Sequence, residues 1–284
     1  MILRYLGTAA AEGWPALFCT CDNCRRARSA GGRNIRTRSQ AIIDDRLLID
    51  FPADTYMHVL NSGLDLANIR HCLITHDHMD HLYAPEFHMR DDVFAYVDGP
   101  PLMVYGTRPT AVKVDLAARR GHHGASARFQ SVTIRAFESF SAAGLTITPL
   151  PANHDHQCEP VIYLITDGSQ SLLYAHDTGY FLDAAWQYLT DKRPRLDLVS
   201  LDCTTIRTYC RDGHMGLATA IEVKERLRLL GCIDDHTHLV LNHFSHNGGA
   251  TYDELLPDAQ AAGFTVAYDG MAVNLALQIM DRAI

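Results

Sequence analysis

The 284-residue sequence contains no uninterrupted apolar run near the roughly 18 residues a membrane-spanning helix needs, so no transmembrane span is expected. Its first residues, MILRYLGTAAAEGW, carry one Arg before an apolar patch too short and broken for a signal peptide. They read as a first strand, and the expected compartment is the cytoplasm. No low-complexity stretch divides the chain, and no period of about 20–50 residues suggests a solenoid; one domain over residues 1–284 is expected. An excess of basic residues is also missing. With 25 Lys+Arg against 33 Asp+Glu the net charge is −8, which argues against gripping a long polyanion, so nucleic acid is not the expected partner. At 47% hydrophobic and 20% charged, the composition is that of a soluble globular protein able to bury a full core without disulfides.

What is present is a succession of short β-like runs: ILRYLG, QAIIDDRLLID, HCLIT, LMVYG, SVTIRAF, GLTITPL, VIYLIT, SLLYAHD, LDLVSLD, HLVLNH and FTVAYDG. Helical periodicity marks GHMGLATAIEVKERLRLLG, closing at Gly231, and TYDELLPDAQAAG, closing at Gly263. A β-rich first half with helices appearing later predicts a layered α/β or α+β architecture. Residues 84–128 read as an insertion or lid, including a helix that closes at Gly121.

The densest chemistry lies in residues 74–81, ITHDHMDH, directly after the apolar run HCLI. A helical face would space ligands three or four apart; this spacing suits a loop leaving a strand, where side chains converge on one point. His76, His78, Asp80 and His81 offer imidazole and carboxylate together, a set that suits Zn, Mn or Fe. Four such groups within six residues fit two ions better than one. Further ligands are available where later strands run out: His154 after GLTITPLPAN, Asp177 after SLLYAH and His243 after HLVLN, with His156 and His176 as neighbouring competitors. Asp177, with two oxygens, is the natural bridge.

Three of the eight cysteines cluster as Cys19, Cys21 and Cys24, while the other five are scattered and expected to act as small buried hydrophobes. In a reducing compartment C-x-C-x2-C reads as a metal site sooner than as disulfides. Structural zinc is four-coordinate, and His246, three residues past His243, supplies the missing ligand.

THDHMDH resembles the T-H-x-H-x-D-H signature of the metallo-β-lactamase fold, and the ordered series His76, His78, Asp80, His81, His154, Asp177, His243 is similar to the dinuclear pattern of its hydrolases across nearly the whole chain. The resemblance implies an αββα sandwich of two mixed sheets flanked by helices. It also favours His154 and Asp177 over His156 and His176. His76, His78 and His154 would hold one ion, Asp80, His81 and His243 the other, with Asp177 shared. The Cys-rich segment, about residues 13–38, together with His246 narrows the likeness to the PhnP-type phosphodiesterases that accompany carbon–phosphorus lyase in phosphonate metabolism. The PqqB group is a cousin with a similar start.

The activity so implied is hydrolysis of a small cyclic phosphodiester, of the phosphoribosyl 1,2-cyclic phosphate or 2′,3′-cyclic nucleotide type. Two divalent cations (Mn or Zn, or Fe) make hydroxide available near neutral pH, and one structural Zn pins the N-terminal loop. Asp80 is expected to orient the hydroxide or take its proton. His214, at the start of a predicted helix, is the candidate general acid or phosphate contact. Arg207 and Arg211 near it could meet a second phosphate. Asp50 reads as a structural or supporting carboxylate, and His122, His123, His236 and His238 as solvated loop groups. Competing readings are a ribonuclease Z-like nuclease, a thioester or lactone hydrolase on the same scaffold, and a non-catalytic PqqB-like carrier. A homodimer is the default oligomer.

Overall fold

A computed structural model describes residues 1–120 and 128–276. The strands are β1 (Ile2–Gly7), β2 (Gln40–Ile43), β3 (Leu47–Ile49), β4 (His71–Leu73), β5 (Leu102–Gly106), β6 (Phe129–Thr133), β7 (Phe140–Ala142), β8 (Leu145–Pro151), β9 (Val161–Thr166), β10 (Ser171–Ala175), β11 (Leu198–Asp202), β12 (His238–Asn242), β13 (Thr265–Val266) and β14 (Ala272–Asn274). The α-helices are α1 (Asp22–Ala30), α2 (Thr55–Ser62), α3 (Arg108–Arg120), α4 (Asp183–Lys192), α5 (Leu217–Leu229) and α6 (Tyr252–Ala261). None is long and apolar enough to cross a membrane.

The strands form two mixed seven-stranded sheets, ordered β14-β1-β2-β3-β4-β5-β6 and β13-β12-β11-β10-β9-β8-β7. The two share one logic. In the first, β14 through β3 pair antiparallel and β3 through β6 parallel. In the second, β7 through β10 pair antiparallel and β10 through β13 parallel. Parallel neighbours need crossovers, which is why helices lie between β3 and β4, β5 and β6, β10 and β11, β11 and β12, and β12 and β13.

Alternate residues of the first sheet enter different cores, because side chains alternate across a strand. Tyr5, Ile43, Ile49 and Leu73 join Ile147, Tyr163, Leu173 and Leu201 of the second sheet between the two layers. Leu6, Ile42, Leu48, Cys72 and Val104 face the other way, against Phe87 and against Val114 and Ala117 of α3. This two-sided burial explains why QAIIDDRLLID reads as almost continuous apolar sequence. It is a hairpin whose turn places Asp44 and Asp45 at φ 49° and 53°, a conformation Asp tolerates. The result is the αββα sandwich.

Three expectations change. Helices are not confined to the later half: α1 and α2 lie before β4. The Cys-rich segment is not all loop, since Cys21 caps α1 and Cys24 lies in its first turn. Residues 102–120 are not an insertion, because β5 pairs with β4 and β6 inside the first sheet and α3 packs on its outer face. A 3₁₀ stretch covers Ala84–Arg90, and residues 121–127, including His122, His123 and the expected helix close at Gly121, lie outside the described residues.

Candidate dinuclear metal centre

The site is built at strand ends. The 74–81 loop leaves β4, Asp177 follows β10 by two residues, His243 follows β12 directly, and His154 lies three residues beyond β8. Asp177 and His243 take φ 51° and 62°, and Asp50, the residue after β3, takes φ 65°. Left-handed backbone at three non-glycine residues costs on the order of 1–3 kcal/mol each. The surrounding sheets hold these turns so that the side chains point into one pocket.

Two sets of donor atoms converge. One atom each of His76, His78, His154 and Asp177 lie within 4.8 Å of one another, and so do those of Asp80, His81, Asp177 and His243. Asp177 belongs to both. Its Oδ2 is 3.3 Å from His76 Nε2 and 3.1 Å from His81 Nε2.

Hydrogen bonds fix which ring atoms face inward. His81 Nδ1–H donates to Asp50 Oδ2 at 2.8 Å, and the Thr75 backbone N–H donates to Asp50 Oδ1 at 2.8 Å. His81 Nε2 is therefore the ring atom that points into the pocket. It faces Asp80 Oδ2 at 3.1 Å, Asp177 Oδ2 at 3.1 Å and His243 Nε2 at 3.3 Å. His154 Nδ1–H donates to the Gly213 carbonyl at 3.1 Å, which points its Nε2 at His78 Nδ1, 3.2 Å away. Asp202 accepts the backbone N–H groups of Thr204 and Met215 at Oδ1 and the Thr204 hydroxyl at Oδ2, and His243 Nδ1–H is 2.8 Å from that hydroxyl oxygen.

Two carboxylates and five imidazoles crowded this closely call for positive charge among them. Buried His76 Nε2, Asp177 Oδ1 and His214 Nδ1 make no well-aligned hydrogen bond, although Asp177 oxygens lie 3.3 Å from the first and 3.0 Å from the last. This donor set fits divalent cations, with buried carboxylates holding the outward ring nitrogens as metal sites typically do.

The electrostatics carry the same sign. Burial alone would raise the Asp177 carboxyl, but His243, His214, His76 and His81 hold it well below the usual carboxylate range. Burial is likewise outweighed at Asp80, where His81 keeps the carboxyl ionised. His76 is pushed down to about 4, first by burial and then by His81, which keeps it neutral and able to ligate. At His214, burial favours the neutral ring, yet Asp177 and Asp202 push it up to about 11.

His214 itself differs from expectation in position. Helix α5 is capped at Gly216, so His214 sits in the preceding turn and not in the helix start. Its Nδ1 is 3.0 Å from Asp177 Oδ1 and 3.7 Å from Asp202 Oδ2. Arg211 is turned away, bonded to Glu222 and stacked on Tyr180, while Arg207 lies 3.7 Å from Asp258.

His176 is buried beside the site and faces out of it. Its Nε2–H donates to Ser200 Oγ at 2.6 Å, and Asn242 Nδ2 lies 3.1 Å from its Nδ1. His156 sits on an exposed 3₁₀ turn, His236 is exposed and His238 half-buried. Asp202 and Thr204 were not anticipated. The signal existed: Asp202 closes LDLVSLD at the end of β11, a strand-end placement like that of Asp177. Lys113 of α3 is a second addition, holding Asp77 of the 74–81 loop at 2.7 Å.

A second cluster lies beyond His243. The sulfurs of Cys19, Cys21 and Cys24 and a ring nitrogen of His246 lie within 4.8 Å of one another. His246 Nδ1 is 3.3 Å from Cys21 Sγ and 3.7 Å from Cys19 Sγ. The Cys24 backbone N–H, donating to Cys21 Sγ, brings that thiol down to about 6, which favours the thiolate that ligates metals. Burial pushes Cys24 up to about 11. Gly248 lets this turn close against Ile206, whose Cγ1 would lie 2.5 Å from an added Cβ.

Fold and pocket together place the chain in a class of metal-binding hydrolase scaffolds, and the chain belongs to the Beta-lactamase superfamily, whose domain matches residues 46–244. The coenzyme PQQ synthesis protein B of Methylobacterium radiotolerans is 25% identical, with 95% of this chain and 98% of that protein aligned. Among solved structures, a diphosphatase of the PhnP family superposes with TM-score 0.72 at 21% identity, covering 96% of both chains. Zn(2+)-bound PqqB from Methylobacterium extorquens gives 0.71 at 20%, covering 96% of this chain and 100% of that one. The short form of human tRNase Z gives 0.64 at 16%, covering 97% and 99%. These structural likenesses share the metallo-β-lactamase fold, which implies divalent metal ions.

Proposed function

We propose that the protein is a dinuclear-metal-dependent phosphodiesterase acting on small cyclic phosphodiesters, of the phosphoribosyl 1,2-cyclic phosphate or 2′,3′-cyclic nucleotide type. The observation that carries this reading is the pair of four-atom donor sets joined through Asp177 at the floor of an open cavity of about 530 Å³. His76, His78 and His154 would hold one divalent ion, Asp80, His81 and His243 the other, with Asp177 between them; Zn and Mn both suit the donors. When bound, such ions neutralise phosphate charge and lower the pKa of water.

The chain's own residues supply the rest. Asp80 lines the cavity with its carboxylate ionised, placed to orient the attacking water and take its proton. His214 also lines the cavity, its Nδ1 3.0 Å from Asp177 Oδ1, placed to give a proton to the leaving oxygen. The Cys19, Cys21, Cys24 and His246 cluster would hold a structural zinc, tying the N-terminal segment to the turn that carries His243.

The test is hydrolysis of bis-p-nitrophenyl phosphate and of cyclic phosphodiesters by protein loaded with Mn or Zn, beside an acyl thioester. Diester turnover without thioester turnover supports the reading, and the reverse replaces it with an acyl hydrolase. The full-length likeness to a coenzyme PQQ synthesis protein favours a second reading, a non-hydrolytic carrier. One zinc per chain and no paired ions would support that instead. A tRNA-processing role, suggested by the tRNase Z likeness, fits poorly with a net charge of −8.

A further inference from the structure

The cavity above the metal-binding groups has a second wall, made by Glu12 of the loop after β1, Thr205, Thr208, Ser245 and Asn247. Beside the small apolar Ala10 and Ala11, this wall consists of hydroxyl, amide and carboxylate groups. Among the described residues, no Lys or Arg lines the cavity, and Arg207 and Arg211 are engaged with Asp258 and with Glu222 and Tyr180. A phosphomonoester carries about −1.5 to −2 charge at neutral pH, and its usual protein partners are Arg and Lys. This wall offers the opposite sign.

Glu12 is held in place from behind. Its Oε1 accepts the Ser245 hydroxyl and lies 3.5 Å from His246 Nε2, on the ring whose Nδ1 faces the cysteine sulfurs. A metal-ligating imidazole commonly gives its other N–H to a carboxylate, so the cysteine cluster orients Glu12 toward the cavity. A carboxylate has about four acceptor directions, of which Ser245 takes one.

Resting on the phosphodiesterase reading, we propose that Glu12 is a specificity-determining residue. It accepts a hydrogen bond from a sugar hydroxyl and repels a second phosphate, so the site takes diesters whose only negative charge is the diester itself. The substrate class is then a nucleoside 2′,3′-cyclic phosphate, with a free 5′-hydroxyl, in preference to a ribosyl cyclic phosphate bearing a 5-phosphate.

The experiment compares kcat/KM of the metal-loaded protein for bis-p-nitrophenyl phosphate, uridine 2′,3′-cyclic phosphate and phosphoribosyl 1,2-cyclic phosphate. Uridine 2′,3′-cyclic phosphate is expected to exceed the 5-phosphorylated substrate by about tenfold or more, the scale of a hydrogen bond to a charged group. Glu12→Gln should shrink that ratio several-fold, and Glu12→Lys should invert it. Zinc content and Tm of both variants establish that each is folded and fully metallated, and if one is not, the other carries the test. A wild-type preference for the 5-phosphorylated substrate, or ratios in both variants within twofold of wild type, overturns the assignment to Glu12 while bis-p-nitrophenyl phosphate turnover leaves the phosphodiesterase reading standing. Absence of turnover on all three diesters overturns both.

Discussion

The paired His/Asp sets and the cysteine cluster are reached by side chains only three residues apart, His243 and His246, yet they differ in every respect that decides what a metal can do. The first draws seven candidate donors from four separate chain segments, mostly buried, and one side opens into the cavity. The second takes three thiols from one short segment at the start of α1 and one imidazole from the turn after β12, and its sulfurs line none of the described cavities. Closed sulfur-rich sites stabilise; sites with an open position react. On the proposed reading, the short turn between His243 and His246 would join a reactive centre to a structural one.

Substitutions can break that division in order of severity. Asp177→Ala removes the carboxylate common to both sets. Transition-state charge stabilisation of several kcal/mol is lost with it, so kcat/KM on bis-p-nitrophenyl phosphate is expected to fall roughly a thousandfold. Thermal melting should change far less.

Cys21→Ser should act in the reverse sense. The chain loses one zinc, and Tm drops by roughly 10 °C, on the scale of about 2–4 °C per kcal/mol for a chain of this size. The ions of the pocket are retained and measurable by elemental analysis. Asp50→Asn leaves every proposed ligand in place but weakens the acceptor for His81 Nδ1–H. Metal affinity or activity should fall by about 10–100-fold, read by titrating Mn into metal-free protein and following turnover.

The smallest effect lies outside both clusters. His58 is buried between Gln40 Oε1 at 2.6 Å and Thr37 Oγ1 at 2.7 Å, and burial lowers its pKa to about 4. The neutral ring is the folded form, so its stability is intact above the unfolded value of about 6.5. As pH falls from about 6.5 to about 4 the unfolded chain takes up the proton first, and stability declines by up to about 1.4 kcal/mol per pH unit. Urea midpoints of wild type against His58→Gln over this range should diverge in slope, while the metal content of the two stays equal.

Much of this comparison was legible in the residues, because both clusters depend on spacing within short runs. ITHDHMDH cannot place its ligands on one helical face, and C-x-C-x2-C carries its own geometry. His154, Asp177 and His243 were accessible as residues where apolar runs end. Asp202 follows the same rule and was passed over, because nothing in the string tells a carboxylate that faces the pocket from one that supports a neighbour. Glu12 had no local signal at all: its position against Ser245 and His246 joins residues more than two hundred apart in sequence. Helices α1 and α2 were missed for a different reason. They are short, α1 is strongly polar, and what holds them is packing and capping by residues such as Cys21, which a periodicity reading does not register. The placement of β5 inside the first sheet was hidden because its flanking segments read as an excursion.

Metal stoichiometry per chain, measured by elemental analysis on wild type beside Cys21→Ser and Asp177→Ala, tests the division into two centres most directly. The expected values are about three ions for wild type, two for Cys21→Ser with zinc reduced by one, and a zinc-retaining protein depleted of the pair for Asp177→Ala. A single zinc in wild type that survives Asp177→Ala and vanishes with Cys21→Ser would contradict the dinuclear pocket.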